Sequence, residues 1–286
     1  MKFTTDKEKV LLDIIIEKIG YASKTKAREF IKGGAVMVDG EVVKIPSHVV
    51  SAGSEVQTGV KSEIKRKVKS SVEIEVLFED DFVLVANKPP KILSSKTKRG
   101  GAPSFVEIID NHIRTQSLNT KAAFPVNYLD SAMSGIMIFA KNSEGQKILK
   151  KSWKDAYKQY YVVCEGEWST DHFTFKGLLK ESTRGKMLYA TKADKFGKEA
   201  IINGEIIKKE KGCIFAEVVP MTNVKDQERA LLSLNGLTVI GDKDYMAERD
   251  SFKRMGMHLQ AIKIAHPKFK SMIQVKTEVP KRIAGF

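Results

Sequence analysis

The chain has 286 residues, with 49 Lys/Arg against 35 Asp/Glu and a formal net charge of +14. That length allows one large domain and a small one, and 42% hydrophobic residues exclude disorder throughout. The positive surplus points to a polyanionic partner. No apolar run reaches the ~18 residues of a membrane span, and the opening "MKFTTDKEKV" lacks the apolar core of a signal peptide, so a cytoplasmic chain is expected.

In chain order, "KVLLDIIIEKI" sets Val10, Leu11, Ile14, Ile15 and Ile19 near helical spacing, and Gly20 can end that helix. Ser23 is placed to cap a second helix, "KTKAREFIKGG", with Ala27, Phe30 and Ile31 as its apolar stripe. Lys24, Arg28 and Lys32 follow at i, i+4 and i+8, which puts three cations on one ridge. "AVMVDGEVV" then predicts a hairpin turning at Asp39-Gly40. Residues 1–60 hold nine Lys/Arg and eight Asp/Glu, so this region is basic only along its second helix. The segment 61–71 is strongly basic and poorly periodic, and reads as a linker able to add salt-sensitive phosphate contacts.

From residue 72 the pattern changes. "VEIEVLFEDDFVLVAN" predicts strand, acidic turn and strand, ended by Lys88-Pro89-Pro90. Further strands are expected in "GIMIFAK", "KQYYVVCEGEW", "EAIINGEIIKK" and "GCIFAEVVP", and helices in "SFVEIIDNHIRTQ", "SEGQKILKKSWKD" and "KDQERALLSLNG". The class expected is α+β, on a mixed, largely antiparallel sheet. Cys164 and Cys213 are far apart in apolar settings and read as buried thiols, and the five histidines show no metal-ligand spacing. Neither a metal nor a cofactor is expected. Asp130, in "NYLDSAMSG", reads from its neighbours alone either as a turn former or as a group that does chemistry.

Two resemblances bear on that choice. Residues 11–58, with the helix "SKTKAREF", the Gly33-Gly34 break and the "VMVDGEVV" hairpin, resemble the small αL RNA-binding domain. Residues 74–270 carry "VLFEDDFVLVANKPP", "NYLDSAMSGIMIFAK", "KQYYVVCEG", "GKEA", "TNVKDQERALLSLNGLTVIGDKDY" and "MHLQAIKIAHP" in order. These resemble the motifs of RluA/RsuA-type RNA pseudouridine synthases. The domains implied are 1–60 for RNA binding, 61–71 as linker and 72–286 as the catalytic-type domain. The resemblance implies an isomerase of ribosomal or transfer RNA, acting as a monomer without cofactor.

It also implies that Asp130 is the catalytic carboxylate and that Tyr160 packs on the uracil ring and assists proton removal. A carboxylate can attack the sugar as a nucleophile or take a sugar proton as a base. Residues expected to contact RNA are Lys24, Lys26, Arg28 and Lys32 in the small domain, and Lys88, Tyr128, Gln227 and Arg229 in the large one. The chain departs from the family pattern around Asp130. Asn127 and Tyr128 stand where the motif has His and Arg, and Met133 replaces its Thr. Val224 replaces the arginine expected to pair with the catalytic carboxylate, and Asp226 and Glu228 replace a His and an Ile. Lys225, Lys158 and Lys88 are the cations that could take over the pairing.

Overall fold

The computed structural model describes residues 2–20, 23–58, 73–96, 101–116, 122–183, 185–191 and 194–285. The basic segment 61–71 lies outside the described residues. Contacts divide the chain into two compact units, Met1–Lys69 and Ser70–Phe286.

In the first unit, helices Leu11–Ile19 and Lys24–Lys32 bury Leu11, Leu12, Ile14, Ile15, Ala27 and Ile31. Gly20 closes the first helix in the left-handed region at φ 76°, donating its N–H to the Ile16 carbonyl. Ser23 holds the N-cap position of the second helix, but its side chain makes no capping bond. Beside the helices lies a sheet of four short strands, Lys2–Thr4, Glu55–Thr58, Val36–Val38 and Glu41–Val42, in that order. Asp39 and Gly40 join the last two with φ values of 49° and 82°. Two successive positive φ values are what the tightest hairpin turn requires, which is why Asp-Gly stands there. The apolar side of the second helix is spent on the core, so Lys24, Lys26, Arg28 and Lys32 are all left exposed.

The second unit is built on a sheet of twelve strands among the described residues. Its main path runs Met187–Tyr189, His172–Glu181, Lys198–Glu210, Cys213–Pro220, Tyr157–Glu165, Met257–Ala265, Ser134–Ala140, Val83–Lys88, Glu75–Glu79. Neighbours are antiparallel, with one exception among the described strands: Ser134–Ala140 runs parallel to Met257–Ala265. Helices Phe105–Gln116, Ser143–Ser152 and Gln227–Leu234 accompany the sheet. Phe105 and Phe139 meet in its core, 5.9 Å between ring centres. This is the α+β, mostly antiparallel architecture that the sequence leads one to expect.

Strands His172–Glu181, Met257–Ala265 and Met272–Lys276 have no counterpart in the sequence expectations. The physical reason is clearest for Met257–Ala265. Its first six residues are all buried, so the polar alternation that marks a half-exposed strand is missing. Cys164 and Cys213 are both buried and unbridged. Among the described residues no helix is long and apolar enough to cross a membrane.

Candidate active site

Asp130 sits on a short irregular link between Phe124–Pro125 and strand Ser134–Ala140. The link is clamped from both sides. Asn127, buried, accepts the Ile138 N–H at 2.9 Å and donates to the Ile136 carbonyl at 3.0 Å. It thus fastens the incoming chain to the strand it is about to join. The Ser94 hydroxyl donates to the Leu129 carbonyl at 2.6 Å and accepts the Leu129 N–H at 3.0 Å. The Lys91 N–H reaches the Ser131 carbonyl at 2.6 Å. The Asp130 carboxylate accepts the Ala132 N–H at 2.7 Å, and the Asp130 carbonyl accepts the Met133 N–H at 3.1 Å. This is an Asx-type turn, so the aspartate shapes its own loop while its carboxyl stays exposed to solvent.

Gly135 explains why the link must end there. In the parallel ladder Ser134 pairs with His258 and Gly135 with Leu259, and Gly135 has φ 128°. A Cβ on Gly135 would lie 2.5 Å from both the Leu259 N and O. Only glycine allows the two strands to approach so closely at the end of the Asp130 turn.

Asp130 and Tyr160 line the same hollow, of about 510 Å3. That volume falls within the ~300–1,000 Å3 of small-molecule sites. Val126, Leu129, Met133 and Met257 supply apolar wall, and Tyr128 stands at the edge, more than half exposed. Lys158, Lys198 and Lys225 line it too, as do the acids Asp226 and Glu228. A larger hollow of about 650 Å3, around Trp168 and the Lys209–Ile214 turn, contains none of these groups and has no comparable chemistry.

Burial dominates the electrostatics. Tyr160 is 9% exposed, and burial, with Glu228 and Asp226 nearby, drives its hydroxyl well above its usual range. Burial also pushes Glu228 up to about 7, with Asp226 adding to the effect and Lys158 opposing it. Asp226 is raised for the same reason, and Asp130 adds to its shift. Lys158 is lowered by burial; its ammonium donates to the Trp153 carbonyl at 3.0 Å and lies 5.1 Å from the centre of the Trp153 ring. Two acids in the wall therefore resist ionisation, and one cation is weakened.

Three residues expected to contact RNA are buried in the structure. Lys88 is fully buried, and its ammonium donates to the carbonyls of Pro89, Ile92 and Met133 at 2.8–3.0 Å. It is an internal cation and has no surface to offer RNA. Gln227 is 2% exposed and its amide is spent on Thr222, which staples the preceding turn to the helix. Arg229 is 5% exposed and grips the buried Asp242 carboxylate with two bonds of 2.6 Å, while also reaching Asp244 at 3.0 Å. Its Nε and Nη2 are spent on these internal acids, while Nη1 lies 3.6 Å from Asp226.

The pairing of Asp130 is corrected as well. Among the described residues it makes no ion pair within 4.0 Å. Lys225 is bound instead to Glu181 and to the Gly185 carbonyl. Residues 222–226 form a turn, not the strand that would have fixed which way Lys225 faces. Lys88 is the buried cation whose charge feels Asp130, and it does so from below the loop. Asp226 and Glu228, singled out in the sequence as ionisable groups replacing His and Ile, do stand in the wall of this hollow. Lys198 falls inside the quoted GKEA run, but no role could be read from it there.

Residues 82–234 match the RNA pseudouridylate synthase family, and residues 10–56 match the S4 domain. A "Ribosomal large subunit pseudouridine synthase D" from Xanthomonas campestris pv. campestris is 24% identical, over 94% of this chain and 85% of the relative. The "Dual-specificity RNA pseudouridine synthase RluA" of Vibrio vulnificus is 26% identical, over 68% of this chain and 78% of the relative. A solved structure titled "Human RNA Pseudouridylate Synthase Domain Containing 1" superposes with a TM-score of 0.59 at 18% identity, covering 73% of this chain and 84% of the other. That likeness concerns the fold.

Proposed function

The chain belongs to the RNA pseudouridylate synthase family and carries an S4 domain, and from that premise we propose that it isomerises uridine to pseudouridine in ribosomal RNA with Asp130 as the catalytic carboxylate. The observation that carries this reading is that Asp130 and Tyr160 line one hollow with apolar walls. The names of the relatives support a ribosomal substrate.

The reaction breaks the bond between C1′ and N1, turns the base, and joins C5 to C1′. The proton leaves C5 and one is returned at N1, so nothing is gained or lost. Asp130 serves the sugar, either adding to it as a nucleophile or removing a proton from it. Tyr160 packs on the ring and its hydroxyl assists the departure of the C5 proton. The base must leave its stack to reach a buried tyrosine, and the apolar wall repays part of that cost.

The test is to incubate the purified protein with ribosomal and transfer RNA from cells lacking it, and to map new pseudouridines chemically. Wild type gives a defined new site in ribosomal RNA. Asp130→Asn gives none, and Tyr160→Phe slows the reaction by roughly 10²-fold or more. An Asp130→Asn protein as active as wild type overturns the assignment.

A second reading is favoured by one specific observation: no cation pairs with Asp130 among the described residues, while Asp226 and Glu228 share its hollow. On this reading the chain is an RNA-binding relative with impaired catalysis, serving ribosome assembly. It predicts wild-type RNA affinity for Asp130→Asn and no new pseudouridine with either protein.

A further inference from the structure

Asp130 stands on the wall between two hollows. The first is the one it shares with Tyr160. The second, of about 290 Å3, is lined by Asp130, Lys243, Lys253 and Arg254, among others. Arg254 is only 6% exposed, yet it makes no ion pair among the described residues. Its Nε donates to the Met255 carbonyl at 3.0 Å, and its Nη2 to the Ser134 hydroxyl at 2.7 Å and the Met257 carbonyl at 3.2 Å. Its Nη1 takes part in none of these bonds. Burial and the neighbouring Arg282 lower the guanidinium to about 10, so an anion brought to this hollow relieves a strained cation. Lys243 and Lys253 are exposed at the mouth.

The acids of this hollow do not pair with those cations. Asp244 is held by Arg229 at 3.0 Å, and Arg229 itself is consumed by Asp242. Arg229 has one charge for two acids, so Asp244, Asp250 and Asp130 face Lys243, Lys253 and Arg254, three against three, with no ion pair within 4.0 Å between the two sets among the described residues. A nucleotide joins base, ribose and phosphate in that order. With the ribose at Asp130 and the base beside Tyr160, the phosphate next along the strand falls on the other side of Asp130.

We propose that the Arg254 hollow is a binding site for an RNA backbone phosphate adjoining the nucleotide whose base enters the Tyr160 hollow. This deepens the functional reading above and rests on its placement of the ribose at Asp130. The site needs no base edge, so it holds the strand in register without reading sequence.

The test measures binding, not catalysis, with the full chain carrying Asp130→Asn and a labelled twelve-nucleotide oligouridylate across a range of salt. Lys243→Gln/Lys253→Gln is expected to lose roughly tenfold affinity at low salt, and its slope of log affinity against log salt is expected to flatten by about 1. Lys268→Gln/Lys270→Gln removes the same charge from the far end of strand Met257–Ala265 and is expected to change neither. Arg254→Lys keeps the charge but not the fork, and is expected to weaken binding about threefold. If that variant misfolds, the two surface pairs still decide. An unchanged slope for Lys243→Gln/Lys253→Gln, or an equal loss in both pairs, overturns the site. If the wild-type chain forms no pseudouridine in the mapping assay above but the slope flattens as expected, the catalytic reading falls and the phosphate site stands. If the wild-type chain forms pseudouridine and the slope is unmoved, the reverse holds.

Discussion

The Lys88 ammonium donates to the Met133 carbonyl at 2.8 Å, holding from inside the domain the far end of the turn that presents Asp130. The same nitrogen also binds the carbonyls of Pro89 and Ile92, so all three of its protons are used. One buried side chain therefore fixes the loop's shape and sets a positive charge behind the carboxylate.

Lys88→Met removes that support. Burial lowers the ammonium to about 8 from its ordinary 10.5. Between those values the unfolded chain holds a proton that the folded protein has released, so wild-type stability rises with pH across this window. The rise reaches about 3 kcal/mol at most. The variant lacks the rise and strands three carbonyls, so it is less stable by about 2 kcal/mol at pH 7.5 and by more at pH 10. Urea unfolding at both pH values measures the difference.

Glu228 carries the opposite sign. Burial lifts its folded value to about 7 from 4.5. In that window the folded protein holds a proton that the unfolded chain has lost. Wild-type stability therefore falls as pH rises from about 4.5 to 7, by up to about 3 kcal/mol. Glu228→Gln abolishes this slope and is the more stable protein at pH 8. Equal unfolding midpoints for the two proteins at pH 5 and pH 8 would contradict the burial of this carboxyl.

At Gly135 a methyl group has no room, since the Leu259 backbone lies 2.5 Å from where it would stand. Gly135→Ala is expected to cost more than about 3 kcal/mol and to abolish pseudouridine formation by displacing the Asp130 loop. Gly40→Ala is the control. It also has positive φ, but a Cβ there meets nothing within 4 Å, so the loss should be about 1–2 kcal/mol with activity kept. Thermal melts and the isomerisation assay together separate the two.

On the S4 helix, Lys24, Arg28 and Lys32 are exposed along one ridge. Converting all three to glutamine is expected to flatten the salt dependence of RNA binding by about 2, at about 0.7 per phosphate contact. Melting of the protein should be unchanged, because none of the three packs in the core. Binding with an unaltered salt slope would show that this ridge does not face RNA.

Much of this was legible in the residues. The Asp39-Gly40 hairpin, the two amphipathic helices of the small domain and the ordered motifs of the large one are local patterns. Each depends on spacing or backbone preference within a few residues. Asp130 and Tyr160 could be named because they sit inside such patterns. The burial of Lys88, Gln227 and Arg229 was not legible, because a cation or an amide in a motif looks the same whether it faces solvent or a buried partner. Asp242, which claims Arg229, is thirteen residues away from it.

The sequence by itself determined the family, the α+β class, the basic ridge and the identity of the acid at position 130. These rest on composition, short-range periodicity and motif order. Only the tertiary structure decided which charges survive near that acid. It withdrew Arg229 into an internal pair with Asp242, tied Lys225 to Glu181, buried Lys88 beneath the loop and brought Arg254 to the far side of it. Burial and long-range partners set the charge a group presents, and both arise only once distant strands are joined.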